Sequence, residues 1–324
     1  MTGVQTCALP ISPVVATLDA KHIIVETHKL FRGTVGLYGR GCANHVVDEA
    51  DLVIYAGSNT SDHTTANYVM PKQGTKIIQI DIDPLEIGRN YAGTIGMLSD
   101  VRAGLEALAA KADAAKHDDW LAHTQKFVDE WRTEAEKARA SEAVPMRPER
   151  LIRELNEVLP KDAIVIADTG YAALWTGTLL YLNHPTQQYH RAAGSLGWSF
   201  PASLGAKCAA PDKPVICVCG DGGFFYHLPE LETARRRGIK TVTIVNNNHC
   251  LSQGLRNLNI AYADRKDHSR KGECFEYLET DFAKVAQSFG CFGVTVGKPQ
   301  DRKSTRPELQ SLRHLVCRLL LEKK

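Results

Sequence analysis

Several things are missing from this chain, and each absence removes a class of function. No apolar run is long enough for a helix to cross a bilayer, so no membrane span is expected. Charge of one sign is not in excess. Lys and Arg number 39 against 37 Asp and Glu, a formal net charge of +2. That balance gives no reason to expect nucleic acid or a membrane surface as partner. The nine cysteines include no CxxC pair, and the twelve histidines include no HxxxH spacing. A zinc site is therefore not expected. Cys217 and Cys219 lie inside an apolar run and Cys208 in a predicted helix, which suits buried, reduced thiols in a cytoplasmic protein better than disulfides. A secretory leader is not expected either. Residues 1–12 have no basic start, and their apolar part is too short. What remains is an ordinary globular composition, 44% hydrophobic and 23% charged, over 324 residues, enough for two domains with full cores.

The most informative stretch is 215–254. An apolar run, 215–219, breaks at Gly220-Asp221-Gly222-Gly223. A helical pattern follows with Leu228, Leu231 and Ala234 on one face. A second apolar run, 242–245, stops at Asn246-Asn247-Asn248. Apolar runs separated by a helical period predict a βαβ unit. Parallel strands joined by a crossover helix end on the same edge of the sheet, where ligands bind. Asp221 and Asn248 should then stand side by side. A carboxylate, an amide oxygen and a nearby backbone carbonyl form a hard, oxygen-only site that suits magnesium holding a phosphate group.

The rest of the chain alternates strands with helices, which predicts an α/β protein of two parallel-sheet domains with helices on both faces. The first domain spans 13–110. Strands are expected at 14–17, 52–56 and 77–82, and helices near Glu49, from about Leu85, and over 101–110. Gly57 and Asp81 fall at strand ends, but no GxGxxG fingerprint accompanies them, so a tight turn and a helix cap explain them as well as a nucleotide does. Residues 111–147 read as a helical linker. The second domain, 148–300, holds a helix at 150–159, a strand at 163–167 ending in Asp168-Thr169-Gly170, and a break at 193–197. A small-residue helix at 201–209, a loop at 252–276 and a helix at 281–289 complete it. Residues 1–12 and 301–324 are out of character with their surroundings and are expected to be artefactual tails, resembling translated sequencing-adapter sequence.

Taken together, these motifs resemble the thiamine diphosphate (ThDP) enzymes of the acetolactate synthase and 2-oxoacid decarboxylase group. Gly-Asp-Gly followed by a helix, a strand and paired asparagines looks like that family's cofactor motif. Residues 80–91, IDIDPLEIGRNY, resemble the central-domain signature of acetolactate synthases, and 194–206 resembles the segment that supports the thiamine. The resemblance implies a Rossmann-like central domain and a ThDP-binding fold. It makes Asp221, Asn248 and the backbone carbonyl of Cys250 the magnesium ligands. Gly220, Gly222 and Gly223 would hold the diphosphate, with Gly170, Tyr171, Gly194 and Ser195 beside them. Leu196 would bend the cofactor so that its ylide forms. The implied substrate is a small 2-oxo acid, and the implied assembly a homodimer or homotetramer with the active site between subunits. A role in branched-chain amino acid biosynthesis goes with that family.

Three departures qualify the resemblance. The family's activating glutamate belongs to a pyrimidine-binding domain that nothing before Pro13 supplies, so no catalytic residue is expected in this chain. The arginine that contacts FAD in acetolactate synthases has no counterpart in 57–62, which counts against FAD. Tyr171 and Ala172 replace a polar pair after Gly170. The leading expectation is a carboligase. The alternatives are a decarboxylase or lyase like benzoylformate decarboxylase or benzaldehyde lyase, and a non-catalytic nucleotide-binding regulator.

Overall fold

The computed structural model describes residues 12–112, 117–265 and 272–299, together with the backbone of 315–320. Most of residues 1–12 and 301–324, the two atypical ends, lie outside that description. Two compact units divide the chain, Met1–Glu136 and Lys137–Lys324.

In the first unit, β1 (Val14–Ala16) pairs in parallel with β2 (Phe31–Thr34). A second parallel sheet has the order β3 (Leu52–Ala56), β4 (Lys76–Asp81), β5 (Ile95–Leu98). Helix α1 (Gly41–Glu49) turns Ala43 and Val47 onto Val35 and Met70, and Val53 of β3 packs on the same cluster. Helix α2 (Val101–Lys111) starts where Asp100 accepts the Ala103 N–H at 3.1 Å and ends with Lys111 in its last turn, both favourable to the helix dipole. Helix α3 (Asp118–Arg139) follows.

One expected helix is absent. Asp83 does cap the N–H of Leu85 at 2.9 Å, but Glu86 N–H returns to the Asp83 carbonyl and the chain turns at Gly88, φ +71°. Strand β5 follows. An aspartate that caps its second neighbour serves a turn as well as a helix start, and only the continuation separates them.

The second unit is built on one six-stranded sheet of order β10-β11-β9-β8-β6-β7, every pair parallel. Its elements in chain order are α4 (Pro148–Val158), β6 (Ile164–Ala167), α5 (Tyr171–Leu179), β7 (Gln188–Arg191), α6 (Ser199–Ala209), β8 (Val215–Gly220), α7 (Asp221–Tyr226) and α8 (Glu230–Arg237). Then come β9 (Val242–Asn247), α9 (Ser252–Ala261), α10 (Phe282–Ser288), β10 (Phe292–Val296) and β11 (Leu315–Leu320). All residues of β6 and β9 are buried, and so is β8 up to Gly220. That is why they read as unbroken apolar runs: central parallel strands are covered on both faces. Cys217, Cys219 and Val245 pack with Phe200 and Leu204 of α6, Phe224 of α7 and Phe282 of α10.

Sequence and structure differ at three places here. The single helical pattern expected after Gly220-Asp221-Gly222-Gly223, with Leu228, Leu231 and Ala234 on one face, is two helices, because Pro229 has no N–H to continue the first one. Leu231 and Ala234 are buried as expected, with Leu228 partly buried against the same core. Helix α5 and strand β7 fill a stretch in which no element was expected. The loop expected at 252–276 begins as a ten-residue helix, α9, none of whose residues is buried. No helix among the described residues is long and apolar enough to cross a membrane.

Candidate functional site

The site is built where β6, β8 and β9 end side by side. Gly220 of β8 is in register with Asn246 of β9, so the residues just beyond them are neighbours. Asp221 is buried, only 3% exposed. Its Oδ1 accepts the Gly222 N–H at 2.7 Å, and its Oδ2 accepts the Cys250 N–H at 3.1 Å. The loop after β9 can reach back because His249 adopts a left-handed conformation, φ +58°. Asn247 stabilises that turn by accepting the His249 N–H and donating to the Thr280 carbonyl. Residues 275–277 hold the loop from outside. Leu251 N–H donates to Phe275 O at 2.8 Å, and Tyr277 N–H donates to His249 O at 2.7 Å.

Asn248 is oriented by a close hydrogen bond from its Nδ2 to Ser252 Oγ, and Ser252 in turn donates to the Cys250 carbonyl at 3.4 Å. With the amide nitrogen engaged, the amide oxygen is the end that remains for a cation. Asp221, Asn248 and Cys250 thus share one corner, with backbone N–H groups of both loop residues turned to the Asp221 carboxylate. Among the described residues no three His, Cys, Asp or Glu side chains gather into a metal site, so the corner's charge comes from Asp221. One carboxylate with neutral oxygens fits magnesium, which keeps water and phosphate ligands of its own. Burial raises the Asp221 pKa above the ordinary carboxylate value, against the pull of backbone N–H groups of Gly222, Cys250, His249 and Asn248. A cation in the corner would favour the ionised form.

A second buried carboxylate organises the neighbouring wall. Asp168, which directly follows β6, is fully buried. Its Oδ1 accepts the N–H groups of Thr169 at 2.8 Å and Gly197 at 3.0 Å. Its Oδ2 accepts the Ser199 N–H at 3.1 Å and the Ser199 hydroxyl at 2.6 Å. These bonds tie the end of β6 to the loop 194–199 that carries Leu196. Gly223 lies against the same carboxylate, where a Cβ would stand 3.2 Å from Asp168 Cγ. Gly197, φ +89°, fits where a Cβ would come within 2.8 Å of Tyr226 Cβ and 3.0 Å of the Gly223 carbonyl. The glycines therefore bring three backbone segments closer than side chains would allow, leaving a cradle of main chain.

Around this cradle the sequence-derived residues take different positions. Leu196 is half-buried, whereas Gly194 and Ser195 are exposed at the loop's tip. Gly170 begins α5 at φ +69°, beside Gln253 Oε1. Tyr171 stacks on Trp175 with ring centroids 5.4 Å apart. In the first unit, the segment 57–62 is held by its own domain: Asn90 Nδ2 donates to Thr60 O at 3.1 Å, and Gln79 Nε2 donates to Ser58 O at 3.2 Å.

Asp168, Ser199, Gln253 and Tyr277 were not among the residues singled out from sequence. Only Asp168 left a signal there, as a polar residue directly after a buried strand, the same place that Asp221 takes after β8.

Comparison with known proteins matches two family models to the chain. Residues 11–108 match the thiamine pyrophosphate enzyme central domain, and 168–314 match the C-terminal TPP binding domain of thiamine pyrophosphate enzymes, the pyrophosphate being the same compound as ThDP. The chain is 32% identical over 308 residues to a probable acetolactate synthase large subunit of Methanocaldococcus jannaschii, covering 91% of this chain and 50% of the relative. It is 29% identical to the acetolactate synthase large subunit of Haemophilus influenzae, with 93% and 52% covered. A putative thiamine pyrophosphate-containing protein of Bacillus subtilis is 26% identical, with 90% and 49% covered. The chain spans about half the length of the curated relatives it matches. With both domain models matched in order, the chain belongs to the thiamine pyrophosphate enzymes, of which it carries the central and the C-terminal TPP-binding domains.

Proposed function

We propose that the chain supplies the diphosphate- and magnesium-holding part of a ThDP-dependent carboligase like acetolactate synthase. The observation that carries this is the Asp221–Cys250 hydrogen bond, which closes the corner with Asn248 beside it. Asp221, Asn248 and the Cys250 carbonyl hold Mg2+, and Gly222 and Gly223 leave room for the diphosphate. Gly220 and Gly170 line the strand ends, with Tyr171, Gly194 and Ser195 at the rim. Leu196, placed by Asp168 through Gly197, is the apolar support for the ring system. When bound, ThDP supplies the nucleophilic carbon and the electron sink that let a 2-oxo acid lose carbon dioxide.

The chain's own residues hold, orient and screen. The group that activates the thiamine lies outside these two domains, on a glutamate of a further domain. The active site is completed between subunits of a homodimer or homotetramer. Substrates are pyruvate-like 2-oxo acids, the process is branched-chain amino acid biosynthesis, and the site of action is the cytoplasm. Names of the relatives support the carboligase reading. FAD is not part of the proposal, since 57–62 offers no arginine.

The test is product analysis with pyruvate, on an enzyme that carries these two domains together with the activating domain. Acetolactate is expected. Release of acetaldehyde without acetolactate would replace the carboligase with a decarboxylase.

A further inference from the structure

Beyond the residues that the Gly-Asp-Gly and asparagine motifs supply, a phenol from a distant segment stands over the same turn. Residues 272–277 come back against the loop that follows β9. Cys250 and Glu276 form an antiparallel bridge, flanked by the Leu251–Phe275 and Tyr277–His249 backbone hydrogen bonds. This clamp fixes the backbone of Tyr277 beside the loop that carries Asn248 and Cys250. Its ring then meets Phe225 of α7 edge-on, with centroids 5.3 Å apart and planes at 62°. Its hydroxyl comes to rest against Gly222, 3.0 Å from the place a Cβ would occupy. The other two of the three atoms nearest that place belong to Leu251, so the phenol is the polar one among them.

Tyrosine couples an apolar ring to a polar tip that takes a hydrogen-bond partner. This one makes no hydrogen bond to another described residue, although its backbone and ring are held on both sides. We infer that Tyr277 is a further cofactor-binding residue, whose hydroxyl donates a hydrogen bond to the magnesium-bound diphosphate over Gly222. The inference rests on the reading of the Asp221–Asn248 corner given above. A tyrosine phenol ordinarily titrates at pH ~10, so it is present as a neutral donor at physiological pH. A tyrosine that only packed on Phe225 would lose nothing on becoming phenylalanine.

The experiment uses the 324-residue chain, titrated calorimetrically with ThDP and, separately, with inorganic pyrophosphate, both at saturating Mg2+. Tyr277→Phe should weaken both by about tenfold or more, the worth of a hydrogen bond to a charged group. Its unfolding midpoint without ligand should match the wild type, since no hydrogen bond to another described residue is lost. Equal affinities in wild type and variant would overturn the inference and leave the corner intact. Loss toward ThDP alone, with pyrophosphate unaffected, would also overturn it, because the contact would then not be to the diphosphate. A wild-type chain without Mg2+-dependent affinity for either probe would overturn the corner itself, and the Tyr277 contact with it.

Discussion

Replacing Asp168 tests whether one buried carboxylate sets the wall of the cradle. The side chain accepts from Thr169, Gly197 and twice from Ser199, and it is fully buried. In Asp168→Ala the Gly197 and Ser199 N–H groups lose their acceptor away from water. Each buried donor left unsatisfied costs about 1–3 kcal/mol, so the expected loss from the two is about 2–6 kcal/mol. Asp168→Asn is the sharper variant. Its oxygen can keep Thr169 and Gly197, while its NH2 faces the Ser199 N–H, and Ser199 Oγ can turn from donor to acceptor. One buried donor then stays unpaired, at about 1–3 kcal/mol. Ser199→Ala removes a single bond and leaves Asp168 three donors, costing about 1.5 kcal/mol, the low end for a bond to a charged group. Urea unfolding should therefore rank Asp168→Ala as the least stable, Asp168→Asn next and Ser199→Ala as the mildest. ThDP affinity should fall in the same order, because Leu196 sits on the tethered loop. If Asp168→Asn were no less stable than Ser199→Ala, the carboxylate would not be organising that wall.

Two further outcomes concern titration. Lys21 is buried beside Arg40 and Glu26, and burial, reinforced by Arg40 and opposed by Glu26, lowers its pKa from 10.5 to about 7. A depressed folded pKa means that stability rises with pH from about 7 to 10.5 and is lost as pH falls back through that window. Lys21→Met should flatten the rise in urea unfolding measured across it, and an unchanged slope would count against a lowered Lys21 pKa. At Asp221 the sign is opposite. Its raised pKa favours the folded state at low pH, and that contribution is lost as pH rises through the folded value. Mg2+ binds the ionised form, so ThDP with Mg2+ should raise the unfolding midpoint at neutral pH and progressively less as the medium is acidified toward the carboxylate range. A shift that is constant with pH would argue that another group holds the metal.

The corner could be read from sequence because its physics is local in pattern. Val215–Gly220 and Val242–Asn247 are covered on both faces, so they appear as apolar runs, and the polar breaks after them mark the ligand edge. What stayed hidden depends on partners far along the chain. Asp168 looks like any capping aspartate until Gly197 and Ser199, 29 and 31 residues later, are seen to donate to it. Tyr277 reaches Gly222 only through the bridge between Cys250 and Glu276. Helix α9 has no buried residue, so no packed core face marked it as an element. At Leu85 the capping signal was real, and the chain used it for a turn.

Everything proposed for the site depends on Asp221 as the charged ligand of a magnesium–diphosphate corner. The measurement is calorimetric titration of the chain with ThDP, in Mg2+ and in a chelator, for wild type and Asp221→Ala. Magnesium-dependent binding by the wild type and none by the variant is the expected result. Equal affinity in the two proteins, or wild-type binding indifferent to magnesium, would contradict it.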